Sequence, residues 1–383
     1  MSNYQELEYA TRTLWPELLT PEDSQSAAAK TPFAVNLFLG DLVNNNLTLY
    51  EDLRTLMEQL PQQTWTVLGN HDRDADSIRA RQVKSYGGAF GADMYAFNEG
   101  RVHVVVLNNV YGVGTRGYTG QLSERQLNFL RQDLKYVPKD VLVVLSMHIP
   151  LAHTRNSAEL LRLLKGRGDV LAVTGHMHRV GRFFLQGEGV RIHELSAGAS
   201  CGFWWVGERD TYGVPAALQQ CGTPPNYFVL DFDDNRYSLR CKVTGEDERR
   251  QMTLHVTGID TLDMHLRDMK DVPAGMLMMT VYGGCDSTVV RCRLDGGEWL
   301  VCKKELSVDP NVSRAREMNL QRAYPTKFNR MNPLRQQKSN QLWTFVLPDP
   351  YRRGAHTVEV EAVDRWGFRA TGRRSFCFPK TGQ

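Results

Sequence analysis

The chain has 383 residues, with 42% hydrophobic and 23% charged side chains and a net charge of +3, an ordinary globular composition long enough for two domains. That balance selects no particular partner. The longest apolar runs, such as Val102 to Leu107 and Val141 to Leu145, fall far short of a membrane span, which excludes a transmembrane helix.

Met1 to Ala10 is polar and acidic and lacks the regions of a signal peptide, so the product as written stays in the cytoplasm. An upstream segment bearing a signal would make it periplasmic or secreted. Tyr4 to Leu19 reads as a helix, with Leu7, Ala10, Leu14 and Leu18 at helical spacing and Pro16 ending or kinking it. Pro21-Glu22-Asp23-Ser24 reads as a loop. Val35 to Leu39 is then a strand running into Gly40-Asp41, and Trp65 to Leu68 a strand running into Gly69-Asn70-His71-Asp72.

Tyr86 to Gly91 is expected as a tight loop leading to a strand from Met94 to Phe97. Val102 to Leu107 is a strand, and Asn108-Asn109 at its end either face the site or form a turn. Ser123 and Gln126 have capping-box spacing for a helix whose stripe is Leu127, Leu130 and Leu134, stopping by Pro138. Val141 to Met147 leads to His148, and Leu171 to Thr174 leads to Gly175-His176-Met177-His178. Such apolar runs suit strands buried on both faces of a parallel sheet, and ligands bind in the crevice beyond the carboxyl ends of those strands.

The residue types that converge there suit a metal site. A carboxylate can bridge two divalent cations, neutral imidazoles suit Zn, Mn, Fe or Ni, and an amide oxygen fills a further position. Two cations roughly 3.5 to 4 Å apart can clamp the attacking and leaving oxygens of a displacement at phosphorus. Gly40, Gly69 and Gly175 are expected to let the backbone turn sharply beside the ions.

Further on, Ser200 to Glu208, Asp210 and Gly213-Val214-Pro215 form an irregular segment in which Trp204 and Trp205 could wall the site and stack a base, sugar or lipid headgroup. The run Gly245 to Arg250 separates a first domain, residues 1–245, from a second, residues 246–383. From Leu277 the chain is a series of short β-rich runs, Leu277 to Tyr282, Thr288 to Leu294, Trp343 to Leu347, His356 to Ala362 and Arg374 to Phe378, with a hairpin-like turn at Asp295-Gly296-Gly297. No helical period persists, which predicts a small β-sandwich. Residues 313 to 338 interrupt it with Arg314, Arg316, Arg322, Lys327, Arg330, Arg335 and Lys338 against Glu317, either a solvated loop or an arm that steers phosphorylated or nucleic-acid substrates. The seven Cys residues are scattered and lack a CxxC pair, so they read as buried free thiols, Cys292 and Cys302 being the pair placed to bridge neighbouring strands.

In order and approximate spacing, GDLVNN, GNHD, the MHIP segment and GHMH resemble the calcineurin-like metallophosphoesterases. The segment around Trp204 and Pro224-Pro225-Asn226-Tyr227 resembles the subgroup with an additional carboxyl-terminal domain. The resemblance implies an α/β fold, a metallophosphoesterase β-sandwich flanked by helices, followed by the small all-β domain. It implies that Asp41 is the bridging metal ligand, that Asn70, His148 and His176 complete the second metal site, and that His178 is a ligand of the first. His71 resembles the general acid and Asp72 the carboxylate that orients it, while Arg73 is placed to touch a phosphate oxygen.

The family's first motif, Asp-x-His or Asp-x-Gln, precedes the Gly-Asp turn and supplies two ligands of the first metal. Residues 1 to 40 contain no His, and their only Asp is Asp23. The chain as given is therefore expected to start after the strand that carries this motif, with one inner strand missing; the family's centre implies two divalent cations, of which this chain binds one if its first site stays incomplete. The alternatives are a degenerate relative, or a loop in which Glu22 or Asp23 swings into the first site.

The expected function is hydrolysis of phosphomonoesters, phosphodiesters or pyrophosphate at a dinuclear centre of divalent Mn, Fe, Zn or Ni. The expected partner is a phosphorylated small molecule or lipid, with nucleic acid supported only by the Trp pair and the basic insert. The competing reading is a protein that binds a phosphorylated ligand or a partner without turnover; a third makes the β-sandwich a surface adhesion module.

Overall fold

The amino-terminal apolar stripe folds as two helices instead of one. Helix α1 (Tyr4–Thr13) starts at Asn3, whose side chain accepts a hydrogen bond from the Glu6 backbone at 3.0 Å. The chain breaks at Leu14 and resumes as α2 (Trp15–Leu19), where Pro16 stands in the first turn and its missing N–H breaks no helical bond. The computed structural model describes residues 1–19, 33–204, 215–260, 272–320 and 337–379. Two compact units are present. One comprises Met1–Met177, Arg182–Ala197 and Phe232–Arg236, the other His178–Gly181, Gly198–Asp231 and Tyr237–Gln383.

In the first unit, β1 (Val35–Phe38) is followed by α3 (Tyr50–Glu58) and by β2 (Gln63–Thr66), which pairs with β1 in parallel. Tyr86 to Gly91, expected as a tight loop, instead completes helix α4 (Lys84–Phe90) and its C-cap. Burial decides this against the low helix propensity of Gly87 and Gly88. Tyr86 is fully buried, its hydroxyl 2.7 Å from the Thr66 hydroxyl, and Phe90 packs edge-on against Tyr50. Both glycines face open space, and Gly91 ends the helix with φ of 88°.

The chain continues through β3 (Tyr95–Glu99), β4 (Val102–Val106), the hairpin of β5 (Val110–Val113) and β6 (Gly117–Gly120), and α5 (Glu124–Asp133). Ser123 caps α5 by accepting the Gln126 N–H. Then come β7 (Leu142–Ser146), α6 (Ser157–Leu163), β8 (Gly168–Thr174), β9 (Val180–Gly187) and β10 (Val190–Ala197). A six-stranded sheet has the order β3-β4-β7-β8-β10-β9, with β4, β7, β8 and β10 parallel. Leu127 and Leu130 of α5 and Leu160 of α6 pack on it with Val105, Val143, Leu145, Val170 and Ile192.

The motif-bearing strands thus fall in two sheets, β1 with β2 and β7 with β8. Strands β4 and β7 are buried along their whole length, whereas β1 and β2 are largely half-buried, so the expected burial on both faces holds for the former pair and not for the latter.

The second unit contains most of β11 (Asn226–Asp233) and of β12 (Arg236–Val243), which pair, then β13 (Met252–Val256), β14 (Met276–Val281), β15 (Val289–Leu294), β16 (Leu300–Val301), β17 (Lys303–Val308), α7 (Pro310–Leu320), β18 (Lys338–Val346), β19 (Gly354–Val363) and β20 (Arg369–Phe378). Two four-stranded antiparallel sheets, β13-β14-β18-β17 and β16-β15-β19-β20, enclose a core that includes Met279, Val281, Val290, Trp343, Val358, Val360 and Phe368. This is the expected β-sandwich. Asp295 and Gly296 turn with φ of 48° and 75°, the signature of a two-residue hairpin turn.

The expectation that no helix interrupts the β-rich region is corrected by α7, which covers Arg314 and Arg316 of the basic segment. Asp309 starts it, accepting the N–H groups of Asn311 and Val312. Arg322, Tyr324, Lys327, Phe328, Arg330 and Arg335 lie outside the described residues, as do Glu22 and Asp23. All seven cysteines are free thiols, Cys292 and Cys302 included. Among the described residues no helix is long and apolar enough to cross a membrane.

Candidate metal centre

Gly40 has φ of 90°, and a Cβ added to it would lie 2.7 Å from both the Gly69 nitrogen and His148 Nδ1. Gly69 has an ordinary negative φ, but a side chain there would collide with the backbone nitrogen and carboxylate of Asp41. The requirement at Gly40 is therefore both conformation and space, and at Gly69 space alone. Asp41 itself has φ of 52° and His176 of 67°, a region that costs a residue with a Cβ roughly 1–2 kcal/mol. Expected ligands thus stand in strained backbone.

Asp41 Oδ1 accepts the His71 backbone N–H at 2.9 Å, and Oδ2 lies 3.2 Å from His148 Nε2. Asn70 is buried, with Oδ1 3.1 Å from the same nitrogen, and His176 Nδ1 is 3.2 Å from it. The other ring nitrogen, His148 Nδ1, donates to the Leu39 carbonyl at 2.7 Å. The Gly175 N–H donates to the His148 carbonyl at 3.0 Å, which ties the end of β8 to the end of β7.

These distances test whether a cation fits. With its proton on Nδ1, a neutral His148 presents a lone pair at Nε2 to a carboxylate oxygen, an amide oxygen and a second imidazole nitrogen. Four electron-rich atoms facing one another are satisfied by one divalent cation, and a hydrogen bond to the far ring nitrogen is the usual support of a metal-ligating His. Ligand atoms of Asp41, His148 and His176 all lie within 4.8 Å of one another. The mixed N/O set suits Mn, Fe, Zn or Ni.

In the chain by itself, burial pushes the Asp41 carboxyl up, but the His148 charge and hydrogen bond and the nearby His71 outweigh it and hold the carboxyl well below its usual range. Burial opposes the His148 imidazolium, and Asp41 nevertheless carries it above its ordinary value. Asp72 is fully buried and raised to about 6 by burial and by Asp41. Its Oδ1 accepts the Val43 N–H at 3.2 Å and its Oδ2 the Gly69 N–H at 2.9 Å, so it fixes the backbone of the loop that carries His71.

Arg73, the residue expected to touch a phosphate oxygen, has protein acceptors on every side. It is buried, and it donates from Nε to the Asn70 carbonyl at 3.1 Å and from its terminal nitrogens to Gln82 Oε1, the Gly117 carbonyl and the Arg116 carbonyl at 3.0, 3.3 and 3.1 Å. It braces two loops. His178 belongs to the second unit, where Nδ1 lies 2.7 Å from the Gly202 carbonyl and its ring stacks on Trp204 at 5.1 Å. One face of Trp204 is thereby covered, and Trp205 lies outside the described residues.

Asn109 is buried and clamps the segment after His148, donating to the Ile149 carbonyl and Thr154 Oγ1 and accepting the Ile149 N–H. Asn108 donates to Asp93 and accepts the Val110 N–H at 2.9 Å, the Asx turn of its reading as a turn former. Two residues were missed in the sequence. Glu194 is buried and accepts the Leu151 N–H at 2.8 Å and the Thr174 hydroxyl at 3.0 Å, linking the ends of β7 and β8. Tyr118 on β6 packs edge-on to the His176 ring at 6.0 Å, with an interplanar angle of 88°. A buried Glu inside an apolar strand was the signal for the first; nothing local marks the second.

Residues 8–180 match the family described as calcineurin-like phosphoesterase, and residues 194–369 match the one described as the C terminal of calcineurin-like phosphoesterase. No curated protein sequence matches significantly. Among solved structures the chain is similar to purple acid phosphatase PPD1 from yellow lupin (Lupinus luteus) seeds, with 12% identity over 55% of this chain and 44% of that one and a TM-score of 0.39. It is also similar to the Thermus thermophilus sulfate thiohydrolase SoxB, with 15% identity over 54% of this chain and 38% of that one and a TM-score of 0.31. Its match thus spans less than half the length of either. The two consecutive family matches carry the assignment: the chain belongs to the calcineurin-like phosphoesterases, in the form that bears the family's C-terminal domain.

Proposed function

We propose that the chain is a metal-dependent hydrolase acting on phosphomonoesters, phosphodiesters or pyrophosphate. The observation that carries this reading is His148 Nε2, which faces Asp41, Asn70 and His176 at 3.1 to 3.2 Å while Nδ1 is committed to Leu39. Those residues hold one divalent cation, and His178, whose Nδ1 bond to Gly202 leaves Nε2 as a donor atom, is assigned to a second. Such cations, when bound, supply charge neutralisation at phosphorus and an acidified water.

The remaining work falls to the protein. Asp41 positions His71 through the main-chain bond from the His71 N–H, and Asp72 holds the same loop against the Gly40-Asp41 turn. His71 delivers a proton to the leaving oxygen. Among the described residues one cluster of three His and carboxylate ligands assembles, which favours, as a second reading, a protein that binds a phosphorylated ligand without turnover.

The test is to load the purified chain with Mn, desalt it, and measure initial rates on p-nitrophenyl phosphate, bis(p-nitrophenyl) phosphate and pyrophosphate, with and without chelator. The hydrolase reading expects turnover of at least one substrate that chelation abolishes and Mn restores, and that Asp41→Asn lacks. Stoichiometric Mn with no turnover of any of them would overturn it in favour of the binding reading.

A further inference from the structure

We propose that the Tyr118 hydroxyl is a substrate contact, donating a hydrogen bond to a phosphoryl oxygen of the ligand held at Asp41, His148 and His176. This rests on the phosphoester reading above and adds to it a residue outside the segments GDLVNN, GNHD, MHIP and GHMH.

The first argument is position. Tyr118 stands with its ring edge-on to His176, yet it stays 40% exposed, and its hydroxyl has no hydrogen-bond partner among the described residues. A phenol held beside a ligand cluster, open to solvent and with its donor unused, is available to a bound anion. The expected alternative donor, Arg73, has its guanidinium committed to Asn70, Gln82, Arg116 and Gly117.

The second argument is rigidity, because a contact that discriminates a ligand must be held before the ligand arrives. The β5–β6 hairpin is pinned at its tip, where Gln82 Nε2 donates to the Thr115 carbonyl at 3.1 Å and Arg73 to the carbonyls of Arg116 and Gly117. Arg116 also pairs with Asp76 at 2.8 Å. It is pinned at its base by the Arg155 N–H, which donates to the Gly120 carbonyl at 2.8 Å. Opposite Tyr118 stands Gly112, where any Cβ would run into Gln82. The hairpin lies flat on the layer of Arg73 and Gln82, and Arg73 in turn holds the Asn70 carbonyl. The wall and the ligand loop are therefore one braced assembly.

The hairpin supplies its own control. Tyr111 pairs with Thr119, one position along from the Gly112–Tyr118 pair, so it projects from the other face, where the Arg79 guanidinium covers its ring.

The experiment is calorimetric titration of inorganic phosphate into the Mn-loaded, full-length chain, with Mn content measured on the same samples. Tyr118→Phe keeps the ring against His176 and removes only the hydroxyl. It is expected to retain wild-type Mn content and to bind phosphate about tenfold more weakly, the loss of one hydrogen bond to a charged group. Tyr111→Phe is expected to bind as the wild type does. Phosphate affinity of Tyr118→Phe within twofold of wild type would overturn the assignment, and so would a fall in its Mn content, which would make Tyr118 a support for His176. If the wild type binds phosphate in a Tyr118-dependent way but hydrolyses none of the esters, the hydrolase reading falls and the contact stands. A Mn-loaded wild type that binds no phosphate would overturn both.

Discussion

His148 donates its Nδ1 proton to the carbonyl of Leu39 across 2.7 Å, joining the end of the strand before Gly40-Asp41 to the end of the strand before Gly175-His176. One bond thus fixes the tautomer of the central imidazole and the relative position of two ligand-bearing turns. His148→Ala removes both. The Mn retained after desalting should fall more than about tenfold, since even loss of an outer partner of a metal-bound His costs 10- to 100-fold in affinity. Elemental analysis of the variant beside the wild type measures this, and unchanged Mn would remove His148 from the ligand set.

Arg73 is predicted to matter through stability. Arg73→Ala would leave buried acceptors on Asn70 and Gln82 and the carbonyls of Arg116 and Gly117 without their donor, a loss of roughly 3 kcal/mol or more. Arg73→Lys should recover little, because an ammonium lacks the planar fork that reaches several acceptors at once. Both should unfold at lower urea concentration. A variant of unchanged stability that loses only phosphate affinity would instead restore Arg73 as an anion contact.

The motif-bearing strands, the turns that end them and the grouping of Asp41, His148 and His176 were legible because each leaves a local trace: an apolar run, a glycine at a close approach, a polar residue where the strand stops. The roles of the residues between them were not. Arg73 follows a motif and so looked like part of the chemistry, but its acceptors come from residues 82, 116 and 117, which only folding brings near. Gly87-Gly88 resembles a loop until Tyr86 is buried beneath it. Tyr118 lies on a short, half-exposed strand with no apolar pattern, and only the packing of the hairpin places it beside His176.

His71 is predicted to act at the leaving group. Its replacement by Ala should lower kcat/KM much more for alkyl phosphoesters, whose leaving oxygen needs a proton, than for p-nitrophenyl esters, whose leaving group departs as the anion. Steady-state rates on such a pair decide it, and equal losses on both would assign His71 to another task.

The glycines divide by the space around them. Gly69→Ala forces a methyl into the Asp41 backbone and carboxylate, and should cost about 1–3 kcal/mol as overpacking does, with loss of retained Mn. Gly88→Ala, in α4 with nothing within 4 Å of the new Cβ, should instead stabilise by about 0.5–1 kcal/mol. Urea denaturation of the two variants reads opposite signs, and a destabilised Gly88→Ala would speak against the helix.

Asp309 sets a pH dependence far in sequence from the ligands. Burial pushes its carboxyl up from 3.8 to about 6, against hydrogen bonds from Thr280 and from the Asn311 and Val312 N–H groups. The folded chain therefore holds this proton up to about pH 6, whereas the unfolded chain releases it near 3.8. The stability that the group contributes is complete below the lower value and is lost as pH rises through the upper one, at most about 3 kcal/mol. Asp309→Asn keeps an acceptor for the first turn of α7 and cannot ionise. Its thermal midpoint should gain on the wild type between pH 4 and pH 7, and a difference that stays constant across that range would mean that Asp309 is charged throughout.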